Sequence, residues 1–166
     1  MRPTQRDPWQ RLGEALAGHL QVRARGLFAS DFVLLDGKGT QIGRLGIHGT
    51  EGAELGIGEV GAKLERVNRS GYRMLSAGTE ILTSTGDAAS PGIMYLENPY
   101  EANLSLLRNT AEAGPAGHPT TIRIKGGLTN RNYEASFDLE DEGSLPVTLF
   151  LLYRLVSLRR EAYRTG

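Results

Sequence analysis

The chain has 166 residues, of which 39% are hydrophobic and 23% charged, a length and balance suited to one domain with a sizeable core. Nineteen lysines and arginines face 19 carboxylates, so no basic excess points to nucleic acid and no acidic excess points to disorder. Cysteine is absent, which excludes disulfides, thiolate metal sites and a cysteine nucleophile, while the 22 glycines are roughly twice the ordinary share.

The opening stretch MRPTQRDPWQ has no apolar h-region of a secretory signal, and the expected location is the cytoplasm. Asp7 followed by Pro8 is a helix start signal. Trp9, Leu12, Leu16 and Leu20 follow at helical spacing, so a helix is predicted over 7–20, weakened by Gly13 and Gly18. From Leu27 onwards short apolar runs are parted by turns. LFASDFVLLDGKGTQIGRLGI places two strands around Asp36-Gly37-Lys38-Gly39, where glycine accepts positive φ without steric cost. AKLERVNRSGYRML repeats the plan around Asn68-Arg69-Ser70-Gly71. Tyr100 to Glu112 reads as a short helix or as a strand with a loop, and AGPAGHP is a loop. PTTIRIK alternates Ile122 and Ile124 with Arg123 and Lys125. NYEASFDLE is a half-buried antiparallel strand, with Tyr133, Ala135, Phe137 and Leu139 on one face.

The end of the chain is its most hydrophobic part. Leu145 to Leu158 is an apolar run of about 14 residues, short of the roughly 20 that span a bilayer, and Arg154 interrupts it. Pro146 suits a first helical turn and Ser144 is an available N-cap. Arg159, Arg160 and Arg164 suit the negative end of the helix dipole. Leu149, Phe150, Leu151 and Leu152 are consecutive and cover every side of the helix, and a helix that is apolar all round is buried all round. Arg154, Ser157 and Glu161 share one side, so the helix should turn amphipathic as it emerges. A barrel of short strands closing around the helix satisfies these demands together.

FVLLDGKGTQIGRL, with its strand–turn–strand pattern, and NYEASFDLEDEGSLPVTLFLLYRLVSLRR, a last strand leading into a hydrophobic helix, resemble the tubby-like C-terminal domain superfamily. That superfamily includes the LURP-one-related proteins and the phospholipid scramblases. The likeness is one of order and pattern over residues 27–160. It implies a mainly β fold with α: an antiparallel barrel wrapped around a buried C-terminal helix. The expected organisation is one domain over 1–166, with an N-terminal helix at 7–20, barrel strands at 27–143 and an axial helix at 145–160.

No sequence motif announces a reaction, and no catalytic residue is assigned. Gly56, Gly58 and Gly61 match G-x-G-x-x-G, but HGTEGAE before them is not a strand core, so barrel turns or bulges are the better reading. Asp138 to Gly143 begins like a calcium loop, yet its twelfth position is Leu149 instead of a bidentate glutamate; a solvated turn is expected there. His19, His48 and His118 lack metal-binding spacing, and Asp31, Asp36 and Glu51 read as turn residues. No cofactor, metal or nucleic acid is expected. Two basic groups remain, Lys63, Arg66, Arg69 and Arg73 beside Tyr72, and Arg159 with Arg160 and Arg164. Their ordinary reading is solvated edge charge. Read as a site, they would meet an anionic lipid or another phosphate-bearing ligand, with arginine holding phosphate bidentately. The expected function is therefore a non-catalytic binding or scaffold domain that does not span a membrane and could take a protein partner. The alternatives are an enzyme whose acid/base site folding assembles, and a structural subunit of a complex.

Overall fold

The computed structural model describes residues 7–26 and 30–165. The expected strand start at Leu27 and the Arg164 side chain lie outside the described residues. Helix α1 (Pro8–Ala15) is followed by twelve described strands: β1 (His19–Arg25), β2 (Asp31–Leu35), β3 (Gln41–Ile47), β4 (Gly52–Ile57), β5 (Val60–Arg66), β6 (Tyr72–Ser76), β7 (Thr79–Thr85), β8 (Gly92–Tyr95), β9 (Asn98–Ser105), β10 (Thr110–Pro115), β11 (Ile122–Gly126) and β12 (Asn132–Phe137). Helix α2 (Ser144–Thr165) ends the chain. Each strand pairs antiparallel with its neighbours in sequence, and β1 pairs with β12, from His19 opposite Ser136 to Arg23 opposite Asn132. The sheet is thus a closed barrel without a free edge.

This closure gathers the loops after odd-numbered strands at one end and those after even-numbered strands at the other. Helix α2 follows β12, so it enters at the second end, here called proximal, and leaves at the first, here called distal. Its residues from Leu149 to Leu152 are wholly buried. Tyr72 of β6 stacks edge-on against Phe150 and Tyr153 from one wall, while Arg159 bonds to the β9–β10 and β11–β12 loops at another. Barrel diameter grows with strand number, and twelve strands leave a lumen that side chains alone do not fill. The helix fills it. It runs closest to β10, β11 and β12. The inward residues there include Ala111, Ala113 and Ala135 beside Ile122 and Ile124, whereas strands farther round the barrel offer Leu45, Leu64 and Met74. Small residues let the helix backbone approach one wall, and large ones fill the wider gap on the other.

Several sequence expectations shift. The N-terminal helix stops at Ala15, and Leu20 belongs to β1, buried in the barrel. Ala17 (φ 53) and Gly18 (φ 76) make the break; a Cβ at Gly18 would sit 2.6 Å from the Phe137 carbonyl oxygen. Strand β12 ends at Phe137, because the Asp138 carboxylate accepts the Glu140 N–H and starts a turn, which leaves Leu139 at the surface. Residues 100–112 are strand, loop and strand. The G-x-G-x-x-G match is the β4–β5 hairpin, with Gly56 opposite Gly61 and Gly58 in the turn. Arg154 and Ser157 are buried, so the helix emerges a turn later than its polar stripe suggests. The Ser144 hydroxyl donates to the Asp138 carbonyl instead of capping the helix. No described helix is long and apolar enough to cross a membrane.

Candidate functional site

The two ends of the barrel differ in chemistry. At the proximal end, the β12–α2 turn carries Asp138, Glu140, Asp141 and Glu142, which line a cleft with Tyr100 and His118. Among the described residues, no lysine or arginine lines it. Asp141 is a staple at this cleft: its carboxylate accepts from the Tyr100 hydroxyl, from Thr121 Oγ1 at 2.7 Å and from the Gly143 N–H at 3.3 Å. Both of its oxygens are therefore engaged in holding β9, the β10–β11 loop and the start of α2 together. Burial, reinforced by Asp141, pushes the Tyr100 phenol far above its ordinary range. Burial and Asp7 do the same to Tyr95, whose hydroxyl donates to Asp7 at 3.4 Å. Helix α1 lies over this end, with Trp9 Nε1 donating to Ser76 Oγ at 3.2 Å.

The distal end carries both basic groups that the sequence singles out, on opposite sides of the rim. On the β5–β6 side, Arg66 folds onto its own hairpin, donating through Nε to the Asn68 carbonyl at 3.1 Å and through Nη2 to the Arg69 carbonyl at 2.9 Å. Its contact with Glu51 is a loose 4.0 Å. Arg69 sits exposed at the tip of that hairpin. Lys63 and Arg73 lie on the outer wall and face carboxylates: Lys63 is 3.2 Å from Glu65, and Arg73 is 2.8 Å from Glu65 and 3.8 Å from Glu80. The Arg73 and then the Lys63 hydrogen bonds hold the Glu65 carboxyl below its usual range. Tyr72 points into the barrel, where its hydroxyl accepts from Arg154 Nη1 at 2.9 Å and its ring lies 4.0 Å from the Arg154 guanidinium carbon. The hairpin thus divides into one exposed arginine, Arg69, a half-buried Arg66 folded onto the turn, two cations paired with acids, and one interior tyrosine.

On the other side of the rim, Arg159 is buried and clamps three elements. Its Nε donates to Asn130 Oδ1 at 2.7 Å, its Nη1 to the Leu106 carbonyl and its Nη2 to the Tyr163 hydroxyl at 3.1 Å. Arg160 is half-buried beside it. The β9–β10 and β11–β12 loops are also tied to each other, by Gly126 N–H to the Asn109 carbonyl at 2.8 Å and Asn109 Nδ2 to the Gly127 carbonyl at 3.0 Å. Between these loops and the end of α2 lies a groove lined by Arg108, Lys125, Arg159, Leu107, Leu128 and Tyr163 among others, with no carboxylate among the described residues that line it.

This architecture has a counterpart among solved structures. An X-ray structure of a protein from Arabidopsis thaliana matches 87% of this chain and 91% of its own, with a TM-score of 0.57 at 10% identity. The chain shares that protein's fold. At that identity the likeness speaks of the fold alone. No family model matches the chain, and no curated protein matches it in sequence.

Sequence reasoning found Arg66, Arg69, Arg159 and Arg160 but passed over Arg108, Lys125, Leu107 and Leu128. Lys125 reads only as an outward residue of the PTTIRIK alternation, Leu107 and Arg108 fall in the stretch readable as helix or as strand with loop, and nothing local marks Leu128. The signal was topological: in a closed barrel, the loops after β9 and β11 neighbour each other at the end where the helix emerges.

Proposed function

We propose that the chain is a non-catalytic binding domain of tubby-like type whose distal rim contacts an anionic, phosphate-bearing partner such as a lipid headgroup. The observation that carries this reading is that Arg66, Arg69, Arg159 and Arg160, distant in sequence, belong to the same end of the barrel, while the acidic turn at 138–142 belongs to the other. A closed barrel around a buried C-terminal helix supports the tubby-like part of the reading. Arginine presents a planar fork of donors that matches phosphate oxygens.

The balanced total charge gives little long-range attraction, so binding should be modest and fall with salt. Co-sedimentation with phosphatidylserine-containing vesicles at low and physiological salt tests it. Binding at low salt that weakens at higher salt is expected. No binding at low salt removes the proposal, and binding that ignores salt removes its electrostatic basis.

A further inference from the structure

We infer that the β9–β10 and β11–β12 side of the distal rim docks on an anionic bilayer, with Leu107 and Leu128 entering the headgroup layer and Arg108 and Lys125 facing the phosphates. The inference rests on the anion-binding reading above and names the surface and the partner.

Leu107 and Leu128 are 95% and 98% exposed, the most exposed large apolar side chains among the described residues. Single exposed leucines are ordinary on a protein surface. These two stand at the tips of neighbouring loops on one rim, joined by the Asn109 bonds and clamped by Arg159 to α2. Such a platform holds both tips in place before contact, so little ordering remains for binding to overcome. Tyr163, also exposed, stands beside them on α2, and tyrosine is enriched where membranes meet water.

The electrostatics agree with this direction. No carboxylate lines the groove, and Arg108 and Lys125 are exposed and make no ion pair among the described residues. Glu134 stands opposite Lys125 in the β11–β12 register without reaching ion-pair distance, whereas Glu65 and Glu80 pair with Lys63 and Arg73. The buried guanidinium of Arg159 adds a further positive charge in the groove with no acid opposite it among the described residues. Apolar tips backed by unpaired cations are complementary to an anionic bilayer, which offers hydrocarbon beneath a layer of phosphate. A soluble phosphate compound would engage the cations but leave the leucines in water.

Because the chain has no cysteine, a single introduced thiol gives one labelling site. Leu107→Cys, Leu128→Cys and, at the proximal β8–β9 turn, Glu97→Cys are each labelled with an environment-sensitive fluorophore. Each is mixed with vesicles of phosphatidylcholine alone or with phosphatidylserine. On the anionic vesicles, labels at 107 and 128 should shift to the blue and lose access to an aqueous quencher, and the label at 97 should change in neither respect. Leu107→Ser/Leu128→Ser should bind about tenfold more weakly or worse, with its thermal midpoint unchanged. Arg108→Ala/Lys125→Ala should lose more binding than Arg66→Ala/Arg69→Ala. Soluble phosphoserine should compete poorly. If the wild type binds anionic vesicles while labels at 107 and 128 stay in water, the docking surface is wrong and the anion-binding reading stands. If the label at 97 enters instead, the orientation is inverted. If phosphoserine alone displaces the protein, the partner is a soluble phosphate. Failure of the wild type to bind at low salt overturns both readings together.

Discussion

Arg154 carries a charge into the barrel with 9% of its surface exposed, and among the described residues no carboxylate meets it. Its neighbours are the Tyr72 hydroxyl and the Tyr72 ring face. A buried charge with partial satisfaction contributes little net stability, while removing its one neutral partner exposes the full desolvation cost. Tyr72→Phe should therefore destabilise the fold by about 1–3 kcal/mol, whereas Arg154→Met should be neutral or stabilising. Urea denaturation of the two variants decides between them, and a large loss in Arg154→Met would reverse the argument. Next to this pair, burial pushes the Tyr153 phenol up to about 12, with nearby Tyr72 adding to the shift. The unfolded chain ionises tyrosine near 10. Stability from this group is complete below about pH 10 and is lost as pH rises through about 12. The urea midpoint should fall above about pH 10, and less steeply in Tyr153→Phe. None of this was legible from the sequence. There Arg154, Ser157 and Glu161 look like one solvated stripe, and only the three-dimensional position of Tyr72 makes an interior place for a guanidinium.

Helix α2 is the element on which the fold depends. Leu152 is wholly buried, and Leu152→Asp would place an unpaired charge in the core at a cost of several kcal/mol. Loss of the folded circular dichroism spectrum is expected, and a well-folded variant would refute the axial placement. The alanine wall permits a finer test. Ala135 is buried on β12, where the helix runs close, and interiors are close-packed, so Ala135→Leu should overpack the contact by about 1–3 kcal/mol, visible as a lower thermal midpoint. The start of the helix is fixed by Gly143, where a Cβ would lie 2.5 Å from the Tyr100 hydroxyl oxygen and 2.6 Å from the Tyr95 ring. Those rings are core residues, so Gly143→Ala should destabilise more than a surface substitution would. The helix was readable because four consecutive large apolar residues permit no solvated face. Its alanine wall was not, since an alanine at an alternating position looks the same whether a helix or a sheet faces it. Strand β1 was missed for a related reason: Leu20 continues the spacing of Trp9, Leu12 and Leu16, and only the left-handed break at Ala17 and Gly18 reassigns it.

At the scale of the molecule, neutrality hides a polarity. Within the even count of charges, four carboxylates gather in the proximal turn at 138–142, and Arg66, Arg69, Arg108, Arg159 and Arg160 gather on the distal rim. Composition cannot show this division, because it follows from antiparallel order: β12 leads into the acidic turn at one end, and odd-numbered loops collect the arginines at the other. The only tryptophan, Trp9, lies at the proximal end and is buried against Ser76. It therefore reports on orientation without any substitution. If the distal rim rests on an anionic bilayer, the barrel stands between Trp9 and the lipid. Trp9 emission in the vesicle-bound protein should then be insensitive to quenchers carried on the lipid chains, while the bound fraction falls as salt rises. Strong quenching of Trp9 by such lipids would mean that the proximal end meets the membrane, despite its carboxylates, and that the charge polarity does not set the orientation.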